Sequence, residues 1–151
     1  MEFSYEDLFQ LGADTTSYRM LTRDHVSIVQ VDGEEFLKVA PDALTLLARE
    51  AFRDISFLMR ASHNDKLAKI LRDPEASEND RIVARTLLQN AVVSAEFQLP
   101  SCQDTGTATI VAKKGHRVLT DGRDEEALTR GVFKTYTEEN LRYSQTVPLT
   151  M

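Results

Sequence analysis

The chain has 151 residues, with 18 Lys and Arg against 24 Asp and Glu for a net charge of −6, and it carries three His, one Cys and no Trp. An apolar share of 42% excludes a disordered chain, and the length fits one domain or part of a larger one. The lone cysteine excludes an internal disulfide, the acidic balance gives no footprint for DNA or RNA, and no apolar run approaches the roughly 20 residues of a membrane span. The acidic start, Met1-Glu2-Phe3-Ser4-Tyr5-Glu6-Asp7, lacks the basic character of a presequence. A soluble, cytoplasmic protein with neither membrane nor nucleic acid as partner is expected.

The first forty residues lack helical periodicity. Within them Val26–Val31 and 35–39 are β-prone and flank Asp32-Gly33, a strong turn dipeptide, which predicts a hairpin. From Pro41, apolar residues recur at Leu44, Leu47, Ala48, Ala51, Ile55, Leu58 and Met59, so one helical face is apolar and Pro41 suits its first turn. Ser62 with Asp65 resembles a capping box, opening a short helix through Leu67, Ile70 and Leu71 that must end before Pro74. Ser77 with Asp80 repeats the pattern. Val83, Ala84, Leu87, Leu88, Ala91, Val92 and Ala95 then line a helix reaching about Phe97.

After Pro100 the character changes. Residues 107–111 are β-branched or small, Lys113-Lys114-Gly115-His116 reads as a solvated turn, and 117–120 reads as a second strand, together a two-stranded unit. Asp121-Gly122-Arg123-Asp124 leads into a helix bearing Ala127, Leu128, Val132, Tyr136 and Leu141. Gly131 inside it costs about 1 kcal/mol relative to Ala and marks close packing or a kink. The order predicts a helix-rich α+β fold: an N-terminal β-hairpin, three helices, a short strand pair and a further helix. There is no internal repeat, low-complexity tract or linker. The extended, Pro-containing stretch 145–151 is expected to belong to an N-terminal piece of a longer protein.

The most unusual stretch is Pro100-Ser101-Cys102-Gln103-Asp104-Thr105-Gly106-Thr107-Ala108. It gathers a thiol, an amide, a carboxylate and two hydroxyls within six positions, where helix gives way to strand, as binding loops do. A capped turn around a buried, inert cysteine accounts for the same residues. Asp104-Thr105-Gly106-Thr107 also resembles the signature of aspartic proteases, but that motif lies between the strands of an all-β fold, and here it follows a long amphipathic helix. His25, His63 and His116 fall in separate predicted elements without ligand spacing.

Three stretches carry a more specific likeness: Asp73-Pro74-Glu75-Ala76-Ser77-Glu78-Asn79-Asp80, Leu99-Pro100-Ser101-Cys102-Gln103-Asp104-Thr105-Gly106-Thr107-Ala108, and Glu139-Asn140-Leu141-Arg142-Tyr143-Ser144-Gln145. Together, and in this order, they resemble the N-terminal region of class I fumarate hydratases, the iron-sulfur fumarases, which are related to the L-tartrate dehydratase alpha type. The likeness runs from Phe9 to Met151. It implies a homodimeric hydro-lyase that interconverts fumarate and L-malate with a 4Fe-4S cluster, in which three cysteines hold three irons and the fourth, open iron binds the substrate. An open iron can polarise the leaving hydroxyl while charge builds on the neighbouring carboxylate.

By position, the resemblance makes Cys102 a cluster ligand, Gln103 and Asp104 substrate-facing residues, and Asp104 the catalytic group for proton handling or hydroxyl orientation. It makes Arg142 a substrate-carboxylate clamp, which suits a planar guanidinium. Read without the resemblance, Cys102 is a structural thiol, Asp104 caps the following backbone and Arg142 is a solvated cation at a helix end. A three-cysteine cluster finds one cysteine here. Residues 1–151 are therefore expected to be the N-terminal portion of the family's N-terminal catalytic domain, with the rest of that domain and the C-terminal domain absent. Alone they should neither hold a stable cluster nor turn over. The alternatives are a tartrate dehydratase-type subunit and a non-catalytic interaction module that keeps the fold.

Overall fold

The computed structural model describes residues 4, 17–101 and 107–142. Strands β1 (Val26–Val31) and β2 (Glu34–Val39) pair antiparallel, from Val31 opposite Glu34 to Val26 opposite Val39, leaving Asp32-Gly33 as a two-residue loop. Both loop residues have positive φ, 51° and 82°, as a primed turn requires to match strand twist. The α+β order follows the sequence expectation, but the partner of the last strand does not. Among the described residues of 107–111 there is no strand. The stretch 117–120 contributes β3 (Val118–Leu119), which lies parallel to β2, with Leu37 opposite Val118 and Lys38 opposite Leu119. Val118 N–H closes a turn onto Gly115 O at 3.0 Å, and Leu37 N–H on the open edge of β2 donates to Arg117 O at 2.9 Å.

Helix α1 (Pro41–Phe57) begins with Pro at its first turn. It packs along α4 (Asp124–Glu138) through small and hydroxylic residues. Thr45 Oγ1 donates to Ala127 O at 2.9 Å, and Thr135 Oγ1 donates to Arg49 O at 2.9 Å and to Gly131 O at 3.1 Å. A Cβ built on Gly131 would overlap Thr45 O and come within 2.6 Å of Ala48 Cβ and 2.9 Å of Arg49 N, so the glycine marks close packing. The matched order, 45 with 127, 48 with 131 and 49 with 135, makes the two helices parallel. The buried face of α1 is Thr45, Ala48, Phe52, Ser56 and Phe57. Of the apolar series read from the sequence only Ala48 is buried, while Leu47 and Ile55 are 50% and 59% exposed. Where α4 comes closest, at Gly131, the α1 face is Thr45 and Ala48, and the large buried residues Phe52 and Phe57 lie further along the helix.

Helices α2 (Ala61–Arg72) and α3 (Glu78–Ser94) form a second pair joined by 73–77. The capping box at Ser77 is present: Asp80 N–H donates to Ser77 Oγ at 3.1 Å, and Ser77 N–H donates to Asp80 Oδ2 at 3.0 Å. The box expected at Ser62 is absent. The first turn of α2 springs from Arg60, whose carbonyl accepts from His63 and Asn64 N–H, and this places Ser62 inside the helix, past the cap position. The helix expected to reach Phe97 ends at Ser94. Phe97 has φ 59° and closes the exit turn by donating its N–H to Ser94 O at 2.9 Å.

Candidate functional site

The parallel run of α1 and α4 brings their C-terminal ends to one side of the molecule. On α1, the last turn leaves carbonyls without an intrahelical partner. Ser56 O, one of these, accepts both the N–H of Ser101 at 2.8 Å and its Oγ at 3.0 Å, and both serines are buried. On α4, Glu139 is the C-cap, Asn140 takes φ 52°, and Leu141 N–H returns to Tyr136 O at 3.0 Å. This is a Schellman closure with Asn in the left-handed position. Leu141 is buried and Arg142, next along the chain, is exposed.

Arg53 joins the two ends. Its Nε donates to Glu139 Oε1 at 2.8 Å, and its guanidinium carbon lies 4.3 Å from the centroid of the Phe97 ring. That ring in turn stacks on Phe57, with centroids 5.4 Å apart. One turn earlier Arg49 Nε donates to Glu138 Oε2 at 2.7 Å, and this bond, more than any other influence, holds the guanidinium above its ordinary range.

The sequence-derived site residues divide accordingly. Cys102, Gln103 and Asp104 lie outside the described residues. Ser101, which precedes them, and Arg142 fall at the same end of the helix pair. Of the residues that build that end, Ser101 lies in the singled-out stretch without a role of its own, and Ser56 and Arg53 carried no signal, because their partners are 45 and 86 positions away in the chain.

The other polar groups sit apart. His25, His63 and His116 are exposed on three different segments. Lys114, read as a solvated turn residue, is exposed and also bridges Thr120 Oγ1 at 3.0 Å and Asp124 Oδ2 at 2.8 Å, and chiefly by the latter hydrogen bond holds the Asp124 carboxyl below its usual range. Among the described residues no group of three or more His, Cys, Asp or Glu could hold a metal. No helix among them is long and apolar enough to cross a membrane.

Residues 45–151 run from the second turn of α1 through all four sequence-derived site residues. They match the family model for fumarate hydratase (Fumerase), and the chain belongs to that family. More particularly, it is similar to the aerobic class I fumarate hydratase of Escherichia coli strain K12, 58% identical over 149 residues that make up 99% of this chain and 27% of the relative. The anaerobic class I fumarate hydratase of the same strain is 56% identical over 149 residues, again 99% of this chain and 27% of the relative. Fumarate hydratase 1, mitochondrial, of Leishmania major is 50% identical over 153 residues, 99% of this chain and 28% of the relative. The chain thus spans about a quarter of the length of the curated relatives it matches.

Proposed function

We propose that these residues form part of a cytoplasmic, homodimeric hydro-lyase that adds water reversibly to fumarate to give L-malate. The observation that carries the reading is 58% identity to a class I fumarate hydratase across 99% of the chain. Within it, Arg142 binds a substrate carboxylate, Gln103 and Asp104 face the substrate, and Asp104 moves the proton or orients the hydroxyl. The geometry that supports this is the joint location of Ser101 and Arg142 at the C-terminal ends of α1 and α4, which leaves the two motif segments starting from one side of the fold. On the same reading residues 1–151 are the N-terminal portion of the catalytic domain.

A 4Fe-4S cluster with one open iron takes three thiolates, and these residues supply one, Cys102. The single thiol does not make the donor set, so the contribution derived for this chain is binding, orientation and proton handling. A guanidinium paired with one carboxylate of a dicarboxylate fixes the carbon skeleton, and a nearby carboxylate then meets the proton or hydroxyl in a defined geometry. The test is steady-state kinetics on the complete enzyme. Arg142→Ala should raise KM for fumarate and L-malate by about tenfold or more, from the loss of a charge-assisted pair, whereas Asp104→Asn should lower kcat more than it changes KM. Unchanged constants in both variants would remove the site assignment. Faster dehydration of L-tartrate than of L-malate would move the substrate to the related diacid.

A further inference from the structure

We infer that Arg53 is a positioning residue that holds Arg142 and the backbone leading to Ser101 in a single frame. This rests on the reading of Arg142 as a carboxylate clamp. One guanidinium makes both attachments: the edge bond from Nε to Glu139 at 2.8 Å and the face over Phe97 at 4.3 Å. Glu139 is the C-cap of α4, and Asn140 and Leu141 follow in a closed, hydrogen-bonded turn, so just these two residues separate Glu139 from Arg142, with little freedom between them. Phe97 lies four residues before Ser101.

Phe97 also needs holding. A bulky side chain at φ 59° is in the left-handed region that favours glycine, and such a conformation persists only where surrounding contacts over-determine it. Those contacts are the Phe57 ring and the Arg53 guanidinium. Lysine at 53 could reach Glu139 as a point charge, but it has no plane to lay on the ring while its edge donates elsewhere. The ion pair is part-buried, so solvent screens it less than it would a surface pair.

The experiment compares Arg53→Lys and Glu139→Gln with the parent in the complete enzyme, by steady-state kinetics and by amide hydrogen exchange on the apo protein. Either variant should raise KM for fumarate by about tenfold and leave kcat within about threefold, because a displaced clamp weakens binding before it touches chemistry. In Arg53→Lys, exchange should quicken together at 97–101 and 139–142, and stay as in the parent across 82–92 of α3. A KM within about twofold of the parent in both variants, or exchange that quickens in one segment alone, overturns the inference. A parent enzyme that fails to hydrate fumarate instead overturns the functional reading, and the exchange arm still decides whether Arg53 couples the two segments.

Discussion

The two helix pairs solve packing in opposite ways. Between α1 and α4 the contact is close enough that a glycine hydrogen meets the opposing backbone, and hydroxyls at Thr45 and Thr135 bond carbonyls across the seam. Between α2 and α3 the fit is loose: α2 has no fully buried residue, and α3 leaves Ile82, Val83, Leu87, Val92 and Val93 open to solvent. The seam between α1 and α4 has no room for a larger side chain at Gly131. The closer-packed pair is the one whose C-terminal ends lie beside Ser101 and lead into Arg142.

The sharpest way to break this contrast is Gly131→Ala. Its new methyl would meet the Thr45 carbonyl, Ala48 Cβ and Arg49 N, none of them the far end of a flexible side chain, and the expected loss is about 3 kcal/mol in urea unfolding, at the upper end for overpacking. Gly115→Ala is the control, since its methyl would meet only Val118 Cγ2 at 3.7 Å. A tolerated Gly131→Ala would mean the seam is not close.

Next in size is Ser77→Ala on the α2–α3 side, expected to cost about 1 kcal/mol as a lost N-cap. The Ser77 hydroxyl, and after it the Ser77 amide, hold the Asp80 carboxyl below its usual 3.8, so the folded state favours the carboxylate. That contribution is full above pH 3.8 and is lost as pH falls through the lowered value. Acid titration of stability should therefore show a smaller loss below pH 3.8 in Ser77→Ala than in the parent. The smallest effect belongs to Val92→Ser on the open face of α3. Val92 is 66% exposed, and the change should stay within about 0.5 kcal/mol by the same urea measurement. A larger loss would reveal a surface that covers α3 in the complete enzyme.

Local chemistry was legible and distant pairing was not. Asp32-Gly33, Pro41, Ser77 with Asp80, and Gly131 each have a meaning set by neighbouring backbone, and each performs the role its type predicts. The partner of Val118–Leu119 is 81 positions back at Leu37 and Lys38, and nothing in either stretch encodes that choice. The inward face of α1 was obscured for a different reason. Periodicity marks the residues with most to gain from burial, whereas the face that goes in is Thr45, Ala48, Phe52 and Ser56, set by the approach of α4 at Gly131 and by Ser101 at Ser56, so Leu47 and Ile55 stay outside. At the site end, the clustered motif around Cys102 was visible in the sequence, whereas the Arg53 bridge is visible only in three dimensions.

Parallel packing has an electrostatic consequence for that end. Each helix presents there the negative pole of its macrodipole, roughly half an elementary charge. Glu138 and Glu139 lie at the same edge, each paired with an arginine of α1, Arg49 and Arg53, so the side-chain charges there offset one another and the helix poles remain. On the proposed reading, a carboxylate of the substrate bound at this end lies close to two negative helix poles. Its capture is left to guanidinium groups at contact distance, which is a reason for their placement to be so firmly held.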